Sequence, residues 1–289
     1  MSEIVSPDQV PAFRLNNGVM MPAVGLGVSP TLMNRRRFSR LRRSPSARDW
    51  VRQALEVGYR LIDTARVYRN EADVGLALAQ SGVPRSDVFI TTKLWTVDLG
   101  YKQVLSAFER SLEQLKTDHL DLYLIHWPDS SKRHESWRAL EELARDGRCR
   151  AIGVSNFTIR HLQELLASSD TVPAVNQVEF SPYLYQRELL EFCRERGIQV
   201  QAHSPLTRGV RLQDPRLTAH AQKHGKTTAQ LLVRWLFQHE VAAIPHSRRR
   251  TRMAQNLDIF DFALSPDEMA ALDALHEDLR VTRDPSDVP

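Results

Sequence analysis

The chain contains only two cysteines, Cys149 and Cys193, among 289 residues. That excludes a disulfide framework and a cysteine-based zinc site, so no metal centre is expected and a reducing cytoplasm is the default setting. No run of about 18 apolar residues occurs, and no membrane-spanning helix is expected. The first residues, MSEIVSPDQVPAFRL, lack the basic and apolar regions of a secretory signal. Lysine is scarce: six of the 39 basic side chains are Lys and the others are Arg. A G-x-G-x-x-G turn is also missing. The first apolar run, Val24-Gly25-Leu26-Gly27-Val28, continues into Ser29-Pro30, which removes the main sign of a doubly wound dinucleotide-binding sheet.

What remains is globular in composition, with 42% hydrophobic and 26% charged residues. Asn17-Gly18 lies between two short runs in FRLNNGVMMP and predicts an N-terminal β-hairpin. Eight short apolar runs follow, at 23–27, 61–64, 88–94, 120–126, 149–156, 175–180, 200–205 and 242–247. They read as strands buried on both faces. Amphipathic segments separate them, among them RDWVRQALEVG (48–58), SWRALEELARDG (136–147) and QRELLEFCRERG (186–197). The alternation predicts an α/β protein, a (β/α)8 TIM barrel with an N-terminal β-hairpin, forming one domain over residues 1–289. Residues 280–289 read as a loosely docked extension.

In such a barrel the site lies at the C-terminal ends of the strands. There the sequence places Asp63, with Tyr68 just beyond, then Lys93, His126, Ser155, Asn156, Gln177 and His203. Tyrosine is a weak acid, with an ordinary pKa of about 10. A neighbouring ammonium stabilises its phenolate and eases proton transfer near neutral pH. Asp63 can keep a buried Lys93 charged, and His126 can orient a carbonyl oxygen. The set suits protonation of an oxygen while hydride arrives from elsewhere. No side chain donates hydride, so a nicotinamide cofactor is implied. His119, His161, His220, His224 and His239 read as solvated and show no metal-ligand spacing.

DTARVYRNE (63–71), ITTKLW (90–95), DLYLIHWP (121–128), IGVSNF (152–157), VNQVEFSPY (175–183) and IPHSRRRTRMAQN (244–256) resemble the aldo-keto reductases. The resemblance runs from about Val10 to Val281. AQKHGKTTAQ (221–230), NLDIFDFALS (256–265) and RVTRDPSDV (280–288) are similar to the bacterial 2,5-diketogluconate reductase-like group. The resemblance implies NADPH-dependent reduction of small or promiscuous carbonyls, including α-dicarbonyls or keto sugar acids. It also implies a cytoplasmic monomer that binds NADP(H), with neither nucleic acid nor a membrane as partner. Asp63, Tyr68, Lys93 and His126 match the catalytic tetrad, with Tyr68 the general acid. Ser155, Asn156 and Gln177 match the residues that hold the nicotinamide carboxamide. Ser204, Leu206 and Ile244 fall along the cofactor, and Ser247, Arg248, Arg252, Gln255 and Asn256 fall at its adenosine end. Trp95 and Trp127 match walls of the substrate pocket.

The sequence departs from that pattern at four places. His203 stands where the family commonly stacks a larger aromatic on the nicotinamide, which predicts cofactor affinity that falls as His203 protonates. His246 replaces a phosphate-pairing Lys, beside Arg248, Arg249, Arg250 and Arg252. Val28-Ser29 stands where the family usually has a substrate-lining aromatic just after strand one. Residues 31–47 form an Arg-rich insertion with six arginines. It reads as a solvated loop, as an electropositive collar for anionic substrates, or as a contact for nucleic acid or membrane. The insertion sustains an alternative: a catalytically weak NADP(H)-binding regulatory protein that engages a polyanionic partner. The short connection over 128–135 and the short tail predict an open pocket.

Overall fold

The computed structural model describes residues 6, 9–30, 46–129 and 132–289. The Arg-rich stretch over 31–45 lies outside the described residues. The chain enters through a hairpin in which β1 (Ala12–Arg14) pairs antiparallel with β2 (Met20–Pro22), Phe13 facing Met21. Gly18 at its tip has φ +86°, the left-handed conformation that made Asn17-Gly18 a turn signal.

Eight parallel strands follow in chain order: β3 (Leu26–Gly27), β4 (Leu61–Asp63), β5 (Phe89–Leu94), β6 (Leu120–Ile125), β7 (Cys149–Ser155), β8 (Val175–Glu179), β9 (Gln199–His203) and β10 (Ala242–Ala243). The sheet closes where Val24, just before β3, bridges Ala243 of β10. There Gly25 donates its N–H to the Ala243 carbonyl at 2.8 Å, and Ala243 donates to the Ala23 carbonyl at 2.8 Å. A Cβ on Gly25 would lie 2.1 Å from Leu61 Cδ2, so this seam requires glycine. Every predicted strand is present, and the fold is the expected barrel.

Two apolar clusters hold it together. The larger lies between sheet and helices, and the smaller fills the barrel with Leu61, Phe89, Leu122, Leu124, Val175 and Ala242. Met21 of the hairpin joins the smaller cluster, fully buried, so the hairpin plugs the N-terminal end of the barrel. Asp121, buried at the start of β6, accepts from Arg85 at 2.8 Å, Arg150 at 2.7 Å and the Ile90 backbone at 2.9 Å.

The helices include α1 (Ala47–Val57), α2 (Glu71–Gln80), α3 (Tyr101–Leu115), α4 (Arg133–Arg145), α5 (Ile159–Leu166) and α6 (Arg187–Glu195). After β9 come α7 (Pro215–Lys223) and α8 (Thr228–Gln238), then, after β10, α9 (Arg250–Leu257) and α10 (Pro266–Asp273). The tail is not loose. Glu179 accepts the backbone N–H of Val281 at 2.6 Å and of Thr282 at 2.9 Å. Arg160 donates to the Val288 carbonyl at 2.8 Å, and His161 reaches the same carbonyl at 2.9 Å. His161 is therefore buried rather than solvated. His220, His224 and His239 are half-buried against Glu268 and Asp273.

Candidate active site

The ends of β4, β5 and β6 bring four polar side chains to one place. Lys93, fully buried on β5, donates to Asp63 Oδ1 at 2.6 Å and to the Thr64 carbonyl at 2.9 Å. Burial pushes the Lys93 pKa down, but the charges of Asp63 and Tyr68 more than offset it, and the ammonium is held above its ordinary value. Its Nζ lies 5.3 Å from the centre of the Tyr68 ring. Tyr68 sits on a one-turn helix over Arg66–Tyr68 that follows β4. Asn70 pins this turn by accepting from Thr64 Oγ1 at 2.7 Å and donating to the Val28 carbonyl at 2.8 Å.

His126, one residue past β6, packs edge-on against Tyr68 and Trp95, with ring centres 5.8 and 5.3 Å away. Burial, then the charge of Lys93, holds its pKa well below the ordinary range, so the imidazole is neutral. A cavity of about 1040 Å³ opens above these groups. Tyr68, Trp95, His126 and Trp127 line it, and the two tryptophans are half-exposed rather than plain core. Lys93 lies beneath the lining, behind Asp63 and Tyr68.

The strands β7 to β9 supply an amide network whose donors and acceptors can be assigned. Gln177 donates both Nε2 hydrogens, to Asp63 Oδ2 at 2.8 Å and to Gln201 Oε1 at 2.6 Å. Its Oε1 has no partner among the described residues and can accept from a group in the cavity. Gln201 Nε2 in turn approaches Met21 Sδ at 3.7 Å. Asn156 donates to the His126 carbonyl at 2.9 Å and to Ser155 Oγ at 3.2 Å. Ser155 Oγ donates to the Gln177 carbonyl at 2.9 Å, and Ser155 lies just under the cavity floor. Asn156 does not cap the following helix, since α5 is capped by Thr158.

His203 lies 2.9 Å from Asn156 Oδ1 through Nε2. Because the Asn156 amide nitrogen is committed elsewhere, His203 is the donor and carries its proton on Nε2. Burial, with the charges of Lys93 and Arg208, lowers its pKa to about 3. The ring therefore stays neutral near physiological pH, which argues against a cofactor affinity that changes with His203 protonation in that range.

The cavity extends to the start of α9. His246, Ser247, Arg248, Arg249, Arg252, Gln255 and Asn256 line that end, with Ser204, Leu206 and Ile244 along the way. His246 Nδ1 donates to the Gly27 carbonyl at 2.8 Å, while its buried Nε2 has no hydrogen-bond partner among the described residues. Burial lowers the His246 pKa, so this residue adds no fixed charge and the arginines supply the positive field. Arg248 lies over the Trp50 ring at 4.4 Å.

Val28 is the one predicted wall that the structure withdraws. It is fully buried, and Ser29 and Pro30 line the cavity instead. Several lining residues carried no sequence signal. Arg208, Gly209, Leu212 and Gln213 come from the loop after β9, where Ser204, Thr207 and Arg208 all have positive φ, at +52°, +49° and +49°. Val281, Thr282 and Arg283 come from the tail, so the pocket is narrower than a loose tail would leave it.

This barrel, with a Tyr–Lys–Asp–His cluster at its mouth, defines a class of oxidoreductase. The aldo/keto reductase family model matches residues 42–277, and the chain belongs to that family. It is 48% identical over 275 residues to glyoxal reductase of Bacillus subtilis (strain 168), covering 95% of this chain and 96% of that protein. It is 46% identical over 293 residues to morphine 6-dehydrogenase of Pseudomonas putida, covering 96% and 95%. A Bombyx mori aldo-keto reductase solved in complex with NADP superposes with a TM-score of 0.89 at 36% identity, covering 97% of this chain and 98% of that one.

Proposed function

We propose that the protein reduces aldehydes and ketones to alcohols with NADPH, Tyr68 acting as the general acid. The observation that carries this reading is the buried Lys93–Asp63 pair, with the Lys93 ammonium 5.3 Å from the Tyr68 ring at the floor of a cavity.

The residues present fit a nicotinamide dinucleotide. Gln177 offers one unspent acceptor, which matches a carboxamide NH2. Buried, unpartnered His246 Nε2 lies in the arginine-rich end, where a phosphorylated ribose finds both polar and positive groups. Ser155, Asn156 and Gln177 would hold the nicotinamide, His203 would face its ring, and Ser247, Arg248, Arg252, Gln255 and Asn256 would hold the adenosine end. The bound cofactor supplies hydride to the carbonyl carbon. Tyr68 gives its phenolic proton to the carbonyl oxygen, which completes the alcohol. Lys93 stabilises the phenolate left behind, and Asp63 keeps Lys93 charged and in place. Neutral His126 turns an N–H to the carbonyl oxygen and fixes its direction.

Small, reactive carbonyls suit a cavity walled by Trp95 and Trp127. The likeness to glyoxal reductase favours α-dicarbonyls, with keto sugar acids as a further class. The resemblance also supports a cytoplasmic monomer, and no helix of the described residues is long and apolar enough to cross a membrane. The test is NADPH oxidation with methylglyoxal and an activated benzaldehyde, beside Tyr68→Phe. Turnover that falls by about 10²–10⁴ in the variant supports general-acid catalysis by Tyr68. Equal turnover in both proteins overturns it.

A further inference from the structure

The C-terminal tail brings to the cavity a charge that the catalytic cluster does not use. Glu179 fixes Val281 and Thr282 through their backbone N–H groups and also accepts from the Thr282 hydroxyl. Beyond Arg283, Asp284 closes a tight turn by accepting from the Ser286 N–H at 2.9 Å. Arg283 is thus held from both sides. Its guanidinium lies 5.5 Å from the centre of the Trp127 ring, and both residues line the cavity. Trp127 directly follows His126 in the chain, and His126, Trp127 and Arg283 all line the same cavity.

Glu179, Asp278 and Asp284, the acids that flank this part of the tail, are engaged elsewhere. Glu179 is spent on the tail backbone, and Asp278 and Asp284 pair with Arg280 at 3.6 and 3.2 Å. Asp63 is the only acid lining the cavity among the described residues, and it is committed to Lys93 and Gln177. No carboxylate pairs with Arg283 among the described residues. A guanidinium set over an aromatic ring keeps its N–H donors available, and such a fork can receive a carboxylate or phosphate. Arg248, Arg249 and Arg252 stand at the α9 end of the cavity and Arg208 comes from the loop after β9, so Arg283 is a separate cation that the tail adds over Trp127.

We propose that Arg283 selects carbonyl substrates that carry an anionic group, a carboxylate or a phosphate, binding that group over Trp127 while the carbonyl sits at Tyr68 and His126. The inference rests on the reductase reading and names the substrate class within it.

Matched pairs of carbonyls that differ in one charge test it: succinate semialdehyde against its methyl ester, and glyceraldehyde 3-phosphate against glyceraldehyde. Wild-type protein should favour the charged member in kcat/KM. In Arg283→Gln that ratio should fall by about tenfold, through KM, as expected for one charge-assisted contact at a partly solvated site. Arg283→Lys should recover part of it, and the pair with the larger fall identifies the anion. A ratio unchanged in Arg283→Gln for both pairs overturns the proposal, as does a wild-type preference for both neutral members. Calorimetric titration of succinate and of inorganic phosphate into the NADP-treated protein separates this from the reductase reading. If no carbonyl is reduced but one of these anions binds wild type and not Arg283→Gln, the anion contact stands and the reductase reading falls. Equal binding of both anions to both proteins overturns the contact.

Discussion

His203 donates its Nε2–H to Oδ1 of Asn156 at 2.9 Å, and Asn156 passes the constraint on by holding the His126 carbonyl, also at 2.9 Å. Asn156 sits at φ +62°, a conformation that a non-glycine residue keeps only when its surroundings hold it there. The His203 ring, through Asn156, therefore also steadies the backbone of His126. His203→Phe keeps a ring but removes the donor. Steady-state kinetics should show kcat down by about tenfold, the loss expected for one buried hydrogen bond. Fluorescence titration should show a smaller change in NADPH affinity. A larger effect on affinity than on kcat would mean that stacking, not the hydrogen bond, is the main role of His203.

His126 and His203 are buried and neutral, and both pKa values lie below that of a free histidine, His203 at about 3. The unfolded chain binds these protons near pH 6.5, so each group contributes stability above that pH and loses it as pH falls toward its folded value. Unfolding free energy should drop by about 1.4 kcal/mol per pH unit for each histidine below about pH 6. Denaturant titrations across this window check the slope. In the folded protein the His203 ring-proton resonances should not titrate between about pH 5 and pH 8. A midpoint inside that range would contradict the burial of the ring.

Breaking the Lys93–Asp63 pair from either side leaves one buried charge without its partner. Lys93→Met and Asp63→Asn should each cost about 3–5 kcal/mol of stability. The double variant should regain most of that stability. It should not regain turnover, because the ammonium beside Tyr68 is gone. Thermal melts and NADPH oxidation on the three proteins separate the two effects. Recovery of turnover in the double variant would remove Lys93 from the chemistry.

Glu179 is the anchor of the tail. Glu179→Ala strands three donors and should release residues 281–283 from the cavity wall. Hydrogen exchange at Val281 and Thr282 should rise by at least about tenfold, since their N–H groups lose their acceptor. KM for small carbonyls should shift more than kcat. Unchanged exchange would mean that Arg160, through the Val288 carbonyl, and Arg133, which donates to the Pro289 carbonyl at 2.9 Å, hold the tail without help from Glu179.

The strands and the polar cluster at their ends were legible because each rests on a local signal. An apolar run of fixed length marks a buried strand, and Asp63, Tyr68, Lys93 and His126 stand at or just past the ends of three successive runs. Helix α2 was not legible. Its sequence, EADVGLALAQ, has no clean polar face, and Gly75 sits mid-helix because a Cβ there would meet the Gln114 carbonyl at 2.5 Å. The tail and the loop after β9 were illegible for another reason. Arg283 and Arg208 reach the cavity through contacts with residues far away in sequence, which no periodicity records. His161 was misjudged likewise, since its burial depends on a carbonyl 127 positions later. Val28 failed as a wall because one residue of register decides which side chain faces inward.

The hairpin plug has a consequence for any attempt to alter this enzyme. Met21 touches Gln201, which holds Gln177, which holds Asp63, which holds Lys93. A line of single contacts thus runs through the whole depth of the barrel, from its floor to the Lys93 ammonium. A change of shape at residue 21, on the face of the molecule opposite the mouth, would be transmitted to the acid–base centre without altering one residue that a ligand meets. Randomised libraries confined to the mouth would overlook this second handle on the chemistry.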